Sequence, residues 1–527
     1  MQKRIQEKAP KVDYRLLYKK QILDYLESLK DTEQTIWQMD ESMKRLFRIG
    51  EQVIPVCLAK LRENDEEIAP IVCYALEFAN DYSVVEPLMD ILIMPSVSDR
   101  IKARILAVLT HYGIDASELP LEIIMEDFDK MASDSMAEML EDIESDPFLI
   151  PYILDDLDEF SLEMKLAYIK DLGAQKDERA IPLLEIIASV DDYPVAHEAI
   201  KALGQIKSGK ALYVLYKLAT KSAEEDIQRI AHRESQRLKF NGISMEFFEP
   251  WENLQNPTKV FISSIDGIGS RVLWLAWKNP FKSRKLSFMN LLISTDMGVR
   301  DCWGVSNITT REFNSSVKDF SRTTVVTKCD LDYAITLLGD ALFFNKTKDY
   351  PIPYQFYFWK HLLEQNCRIN CEPYYPKFTG YDLESIENDQ ECFKSTFDLF
   401  NHSFFNDWFI AHPRVYDYAE ENKSRKGYLI KKMTYQKAEK LFARFTEELI
   451  EPNADKVKRM LELSADFLDK AGQTEIAKTT LCAFLHMDIK PLYHHPFIQR
   501  MIVESIKVAL NNMKNGFDMR FNPSDFE

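Results

Sequence analysis

The stretch DMGVRDCWG, residues 296–304, crowds together side chains that could do chemistry. Asp296, Arg300, Asp301 and Cys302 read as a turn following a strand, and functional residues gather on such loops. A thiol there could serve as a nucleophile if a neighbouring base took its proton. No histidine lies nearby in sequence. The same residues would equally make a tight turn with an Asp–Arg pair and a packed Trp303. These four are the catalytic candidates, and they carry no motif that names a reaction.

Metal chemistry is the second candidate. Cys367 and Cys371 are spaced C-x3-C, within the range of zinc sites, with Cys392 and His402 further on. The remaining spacing is irregular, and single thiols are commonly buried as small apolar groups. His486, His494 and His495 lack the i, i+4 spacing of a two-histidine ligand pair. No P-loop, G-x-S-x-G or H-E-x-x-H occurs, and the GIG at 267–269 precedes a strand instead of a helix, so it is no dinucleotide fingerprint. Neither a metal nor a cofactor is expected. The eight scattered cysteines read as reduced thiols, not a disulfide framework.

The third chemistry is electrostatic. The net charge of -18 is unevenly placed. Residues 51–200 hold 10 Lys+Arg against 34 Asp+Glu, whereas residues 246–527 hold 36 against 38. From Glu126 to Glu163 there are 14 acidic residues and one lysine, Lys130. Nucleic acid is disfavoured there, because phosphate would be repelled. The stretch is either a solvated face or a docking surface for a basic partner, with Asp155, Asp156, Asp158 and Glu159 as candidate contacts. Its counterpart is KSRKGYLIKKMTYQKAEK, residues 423–440, where Lys426, Lys431 and Lys432 stand among Tyr428 and Tyr435. Basic residues interleaved with aromatics suit single-stranded nucleic acid. They also suit the chain's own acidic stretch.

Prolines mark the elements that must position these groups. Pro55, Pro87, Pro120, Pro151 and Pro182 are separated by 32, 33, 31 and 31 residues, with Tyr213 a further 31 on. Each precedes an apolar run of helical spacing, and proline at a helix's first turn sacrifices no hydrogen bond. Gly50, Gly113, Gly173 and Gly204 fall before these starts, where a left-handed residue past a helix end is expected. A two-helix unit of this length cannot bury its own apolar face, so successive units must stack into a solenoid. The motif AIKALGQIKSGKALYVL (199–215) and its echo YIKDLGAQKDERAIPLL (168–184) resemble the short bacterial HEAT repeats, also called PBS-lyase-like, over roughly residues 45–240. The resemblance implies a surface for binding other macromolecules. Some related proteins attach bilins, but no residue here marks a chromophore site.

Beyond residue 240 the pattern changes. KVFISSI (259–265), RVLWLAW (271–277) and LSFMNLLIS (286–294) predict a three-stranded antiparallel meander, with DGIGS as a hairpin turn. VLWLAW is apolar on both faces and requires cover on both sides. Helices over 309–320, 330–344 and 354–365 would supply it, and the YQFYFW stripe is read as core. The expected fold is mainly α: an N-terminal lead-in (1–44), a solenoid (45–240), an α+β domain (257–420) and a helical C-terminal region (421–527). The polar, basic N-terminus and the lack of a long apolar run predict a cytoplasmic protein, outside membranes and bacterial in type. The expected function is a scaffold or adaptor for a protein partner. The alternatives are an enzyme or small-molecule binder in the middle domain, and a nucleic-acid-associated protein using the basic segment.

Overall fold

Apolar residues three and four apart give most of this chain one buried stripe per segment, and the computed structural model folds those segments into helices, with one antiparallel sheet among the described residues. It describes residues 14–30, 34–115, 119–222, 224–250, 255–280, 282, 284–424 and 434–521. The chain divides into two units, Met1–Asp142 and Ile143–Glu527. No helix among the described residues is long and apolar enough to cross a membrane.

The first unit is a series of helices: α1 (Tyr14–Ser28), α2 (Ile36–Phe47), α3 (Val53–Arg62), α4 (Ala69–Ala79), α5 (Val85–Leu92), α6 (Asp99–His111) and a single turn, α7 (Leu121–Ile124). It ends in α8 (Phe128–Ser145), within which the division between the units falls. Here α3 packs on α4 and α5 on α6, while α4 also lies against α6. Pro55 and Pro87 occupy the first turns of α3 and α5, and Pro120 caps α7.

The second unit opens with three helix pairs, α9 (Ile150–Glu159) with α10 (Leu162–Gln175), α11 (Ile181–Ile187) with α12 (Tyr193–Gln205), and α13 (Gly209–Lys221) with α14 (Glu225–Phe240). The second helices α10, α12 and α14 stack in a row, and α11 lies beside α13. Pro151 and Pro182 are the second residues of α9 and α11. A polar residue five positions ahead marks the register again: the side chains of Asp146, Asp177 and Ser208 accept from the amides of Phe148, Arg179 and Lys210.

The glycines divide into two kinds. Gly113, just past α6, takes a φ of +82°, as expected of a residue beyond a helix end. Gly173 and Gly204 correct that expectation, for they lie inside α10 and α12. A Cβ on Gly173 would sit 2.8 Å from Ala202, so this glycine lets two stacked helices approach closely. The left-handed residue ending α10 is Lys176.

The sheet comprises β1 (Lys259–Ser263), β2 (Ser270–Lys278), β3 (Lys285–Ser294), β4 (Gly298–Thr309) and β5 (Val326–Lys328), in the order β4-β3-β2-β1-β5. The expected meander is present, with β2 in the middle. Two strands were not expected. The segment read as a turn over 296–304 is mostly strand β4, whose turn covers only Thr295–Met297. Its polar residues Arg300 and Asp301 are exposed, as an edge strand permits. Trp274 faces α15 (Thr310–Phe320), lying 5.4 Å from Phe320, while Trp277 stacks at 5.2 Å on Trp359 from the opposite face. That face is covered by α16 (Leu331–Lys348) and α17 (Tyr354–Glu364). Asn345 of α16 also accepts from the amide of Val299 at 2.7 Å and donates to its carbonyl at 3.0 Å, occupying the outer edge of β4.

Helix α17 carries the YQFYFW stripe, and Tyr354–Trp359 are all buried. It packs at once on α9, α11 and β4. Phe148 lies 5.8 Å from Phe358 and 6.0 Å from Trp359. The Tyr354 amide, at the start of α17, donates to Asp158 at 3.1 Å, its hydroxyl donates to Asp192 at 2.7 Å, and the Tyr357 hydroxyl accepts from the Asp191 amide at 3.0 Å. Beside them Ser306 of β4 donates its amide to the Tyr152 hydroxyl at 3.2 Å, and Asn307 donates to the buried Asp146 carboxylate at 2.6 Å.

The remaining helices are α18 (Leu383–Asn388), α19 (Gln390–Ser395), α20 (Pro413–Glu421), α21 (Tyr435–Phe445), α22 (Ala454–Lys470), α23 (Thr474–Leu485) and α24 (Pro496–Lys514). His495 caps α24: its Nδ1 accepts from the Phe497 amide at 3.2 Å while Nε2 lies 3.0 Å from the Ala483 carbonyl. Only the neutral imidazole, with its proton on Nε2, satisfies both.

Two outcomes are expected. A Cβ on Gly304 would lie 2.2 Å from the Trp359 ring. Gly304→Ala should therefore destabilise by about 1–3 kcal/mol in urea unfolding, and the same substitution should cost less when made in a Trp359→Leu chain. Burial lowers the His495 pKa to about 4. A depressed folded value means that stability is whole above the unfolded value near 6.5 and falls as pH drops towards 4, by about 3 kcal/mol. His495→Asn, which keeps a capping acceptor, should flatten unfolding free energy against pH over that window.

Candidate functional site

The acidic candidates lie on α9, directly after the proline that starts it. Its apolar residues Ile150, Leu154 and Leu157 are buried, which turns Asp155, Asp156 and Glu159 outward. Asp158 is different. It is half-buried, accepts from the Tyr354 amide and lies 3.6 Å from Lys165, where a carboxylate suits the positive end of a helix. The three outward carboxylates are close enough to repel. The pKa of Asp156 is raised, first by desolvation against the helix surface and then by Asp155 and Glu159. A cation set against this trio would offset the repulsion. Further acids, Asp129, Asp134, Glu138 and Glu141, are exposed along α8. Lys426, Lys431 and Lys432 lie outside the described residues.

The catalytic candidates are sent apart. Asp296 accepts from Ser294 at 2.8 Å and pairs with Lys456 of α22 at 2.9 Å. Arg300 reaches outward over the Tyr350 ring, 5.6 Å from its centroid. Asp301 is exposed, opposite Leu292. Cys302 is buried opposite Leu291, and its thiol is pushed well up, first by burial and then by Asp301 and Asp155. A thiol so placed resists forming the thiolate that a nucleophile needs. Of the metal candidates, Cys371 is exposed, Cys392 packs in an apolar cluster with Cys482, and His402 accepts from the Phe404 amide at 3.2 Å.

A polar chamber went unnoticed in the sequence. It lies under the sheet between β2, α16 and α22. Asp340 accepts from the Tyr374 amide and from Arg459, both at 2.8 Å. Asp466 accepts from the hydroxyls of Tyr333 at 2.8 Å and Tyr374 at 3.2 Å, and pairs with Lys470 at 2.9 Å. Arg271 enters from β2 with 3% of its surface exposed. Its guanidinium sits 6.0 Å from the Phe467 ring, and burial works against its charge. One signal was available: Arg271 directly precedes the apolar run Val272–Trp277 of its strand, where a charge must find a buried partner.

Residues 147–234 match the family model described as HEAT repeats, a span that begins just before α9 and ends within α14. A comparison with curated proteins finds no match. HEAT repeats generally mediate contacts between proteins. The stacked pairs α9 to α14, the first two opened by first-turn prolines, are therefore a HEAT-like repeat segment built into a larger helical chain.

Proposed function

We propose that this chain is a cytoplasmic scaffold or adaptor, bacterial in type, that binds a protein partner with a basic surface through the acidic side of its HEAT-like segment. The observation that carries this reading is the outward trio Asp155, Asp156 and Glu159 on α9, at the start of the matched repeats. Mutual repulsion there makes the free surface costly, and a basic partner converts that cost into attraction. The surrounding excess of acid over base extends the field, which speeds encounter with cations and disfavours polyanions.

The site is not fully plastic. The α9–α11 face is occupied by α17, so the partner must approach from the side that carries the trio. Asp158 belongs to the interior contact and is not offered to it.

The test is affinity capture from the native cell with the full chain and with an Asp155→Lys, Asp156→Lys, Glu159→Lys variant, each at low and high salt. A basic protein should be held by the parent, released as salt screens the pair over about 10 Å at 0.1 M, and bound at least about tenfold more weakly by the variant. An identical captured set for both chains would reject the acidic surface. Capture abolished by nuclease would shift the reading to nucleic acid.

A further inference from the structure

Cations gather on the face of the sheet that α15 covers, the face opposite to α17. Lys328, Lys259 and Lys278 come from three neighbouring strands, β5, β1 and β2. Lys328 stands opposite Phe261, and Lys259 opposite Ala276, two residues before Lys278. Alternation puts all three on the side of Phe261 and Trp274, whose rings lie 6.0 and 6.1 Å from that of Phe313 on α15. The Lys259 ammonium keeps to that side. It lies 4.9 Å from the centre of the Phe313 ring and donates to the Asn314 side chain at 2.8 Å. Asn314 shares a stripe of α15 with Arg311 and Lys318, at i, i+3 and i+7, and all three are exposed.

No acid balances this group. Strands β1, β2, β3 and β5 contain none. The two acids of α15 are committed, Glu312 to its capping box with Thr309 and Asp319 to Arg322 at 3.2 Å. Among the described residues Lys259, Lys278, Arg311, Lys318 and Lys328 make no ion pair, and Asp330, two residues past Lys328, is not joined to it. The pKa of Lys259 is lowered, first by burial and then by Lys328. Two like charges thus press on each other in a chain whose net charge is -18.

We propose that the α15 face of the sheet is a docking surface for an acidic segment of a partner protein, held by Lys259, Lys278, Arg311, Lys318 and Lys328. Carboxylates laid across the row would offset the repulsion and pair with side chains that hold no acid of their own. Nucleic acid fits less well. Bases need exposed rings to stack on, whereas Phe313 and Trp274 are buried. A long strand would also run on over the acid-rich remainder of the chain, where its phosphates would be repelled. A short acidic segment meets neither difficulty. The surface does not use the α9 trio and does not depend on the reading given for it.

The probe is a fluorescein-labelled octaglutamate, with an oligothymidylate of equal charge beside it. In a fluorescence-anisotropy titration the full chain should bind octaglutamate, more weakly as salt rises, and should bind the oligothymidylate less. Arg311→Gln, Lys318→Gln and Lys328→Gln together, all at exposed positions, should weaken octaglutamate by about tenfold, the sum of three exposed ion pairs. Lys346→Gln with Lys348→Gln, exposed in the last turn of α16, should leave it unchanged. A parent chain that does not bind octaglutamate, or an equal loss in both variants, overturns the proposal. Tighter binding of oligothymidylate, lost in the triple variant, overturns it in favour of nucleic acid. A salt-sensitive dimer in sedimentation, abolished by the triple substitution, overturns it in favour of a second copy of this chain.

Discussion

The stack of Trp359 on Trp277, seated in the notch left by Gly304, is the contact on which residues 143–527 depend. A two-helix repeat leaves one apolar face open, and a sheet does the same. Here a single helix, α17, closes both. Its tyrosines reach the turn after α11 and its tryptophan reaches the sheet, so one element belongs to two cores. Side chains on such an element cannot be exchanged for one core without disturbing the other. That explains why six consecutive positions, Tyr354–Trp359, are buried in a helix, where an ordinary amphipathic pattern would leave half of them wet.

Much of this was legible in the sequence, and the limits have physical causes. Proline spacing located α3, α5, α9 and α11, because the residue's missing amide restricts it to a helix's first turn. β-Branched and aromatic runs located β1 to β3. Strand β4 was missed because half its residues are polar, as befits an edge. Gly173 and Gly204 were misread because a glycine that admits a neighbouring helix looks, in one dimension, like one that ends its own. The stripe of α17 read correctly as core, but not as a core shared by two layers, since spacing reports burial and not what does the burying. The chamber of Arg271, Asp340 and Asp466 draws on residues far apart in sequence, and no local pattern joins them.

The acidity of the HEAT-like segment has two parts. Asp146, Asp158, Asp177 and Asp192 act locally, accepting from backbone amides or from a tyrosine hydroxyl that they hold in place. Asp155, Asp156 and Glu159 have no such work and face solvent. Counting charges along the chain merges the two. Only burial and hydrogen bonding separate acids that build the repeat from those left to meet something else.

Strand β4 closes one side of the sheet, and the outer margin of such a strand is a template on which a second chain could lay its own backbone. In this protein the margin is plugged by side chains: Asn345 takes both polar groups of Val299, and Tyr152 takes the amide of Ser306. At the far side β5 is three residues long, too short to recruit a strand. The repeat helix that carries Tyr152 is therefore also a guard against polymerisation. A chain that lost its HEAT-like segment would keep the Asn345 plug at Val299 but leave the Ser306 amide on the sheet's margin without its acceptor.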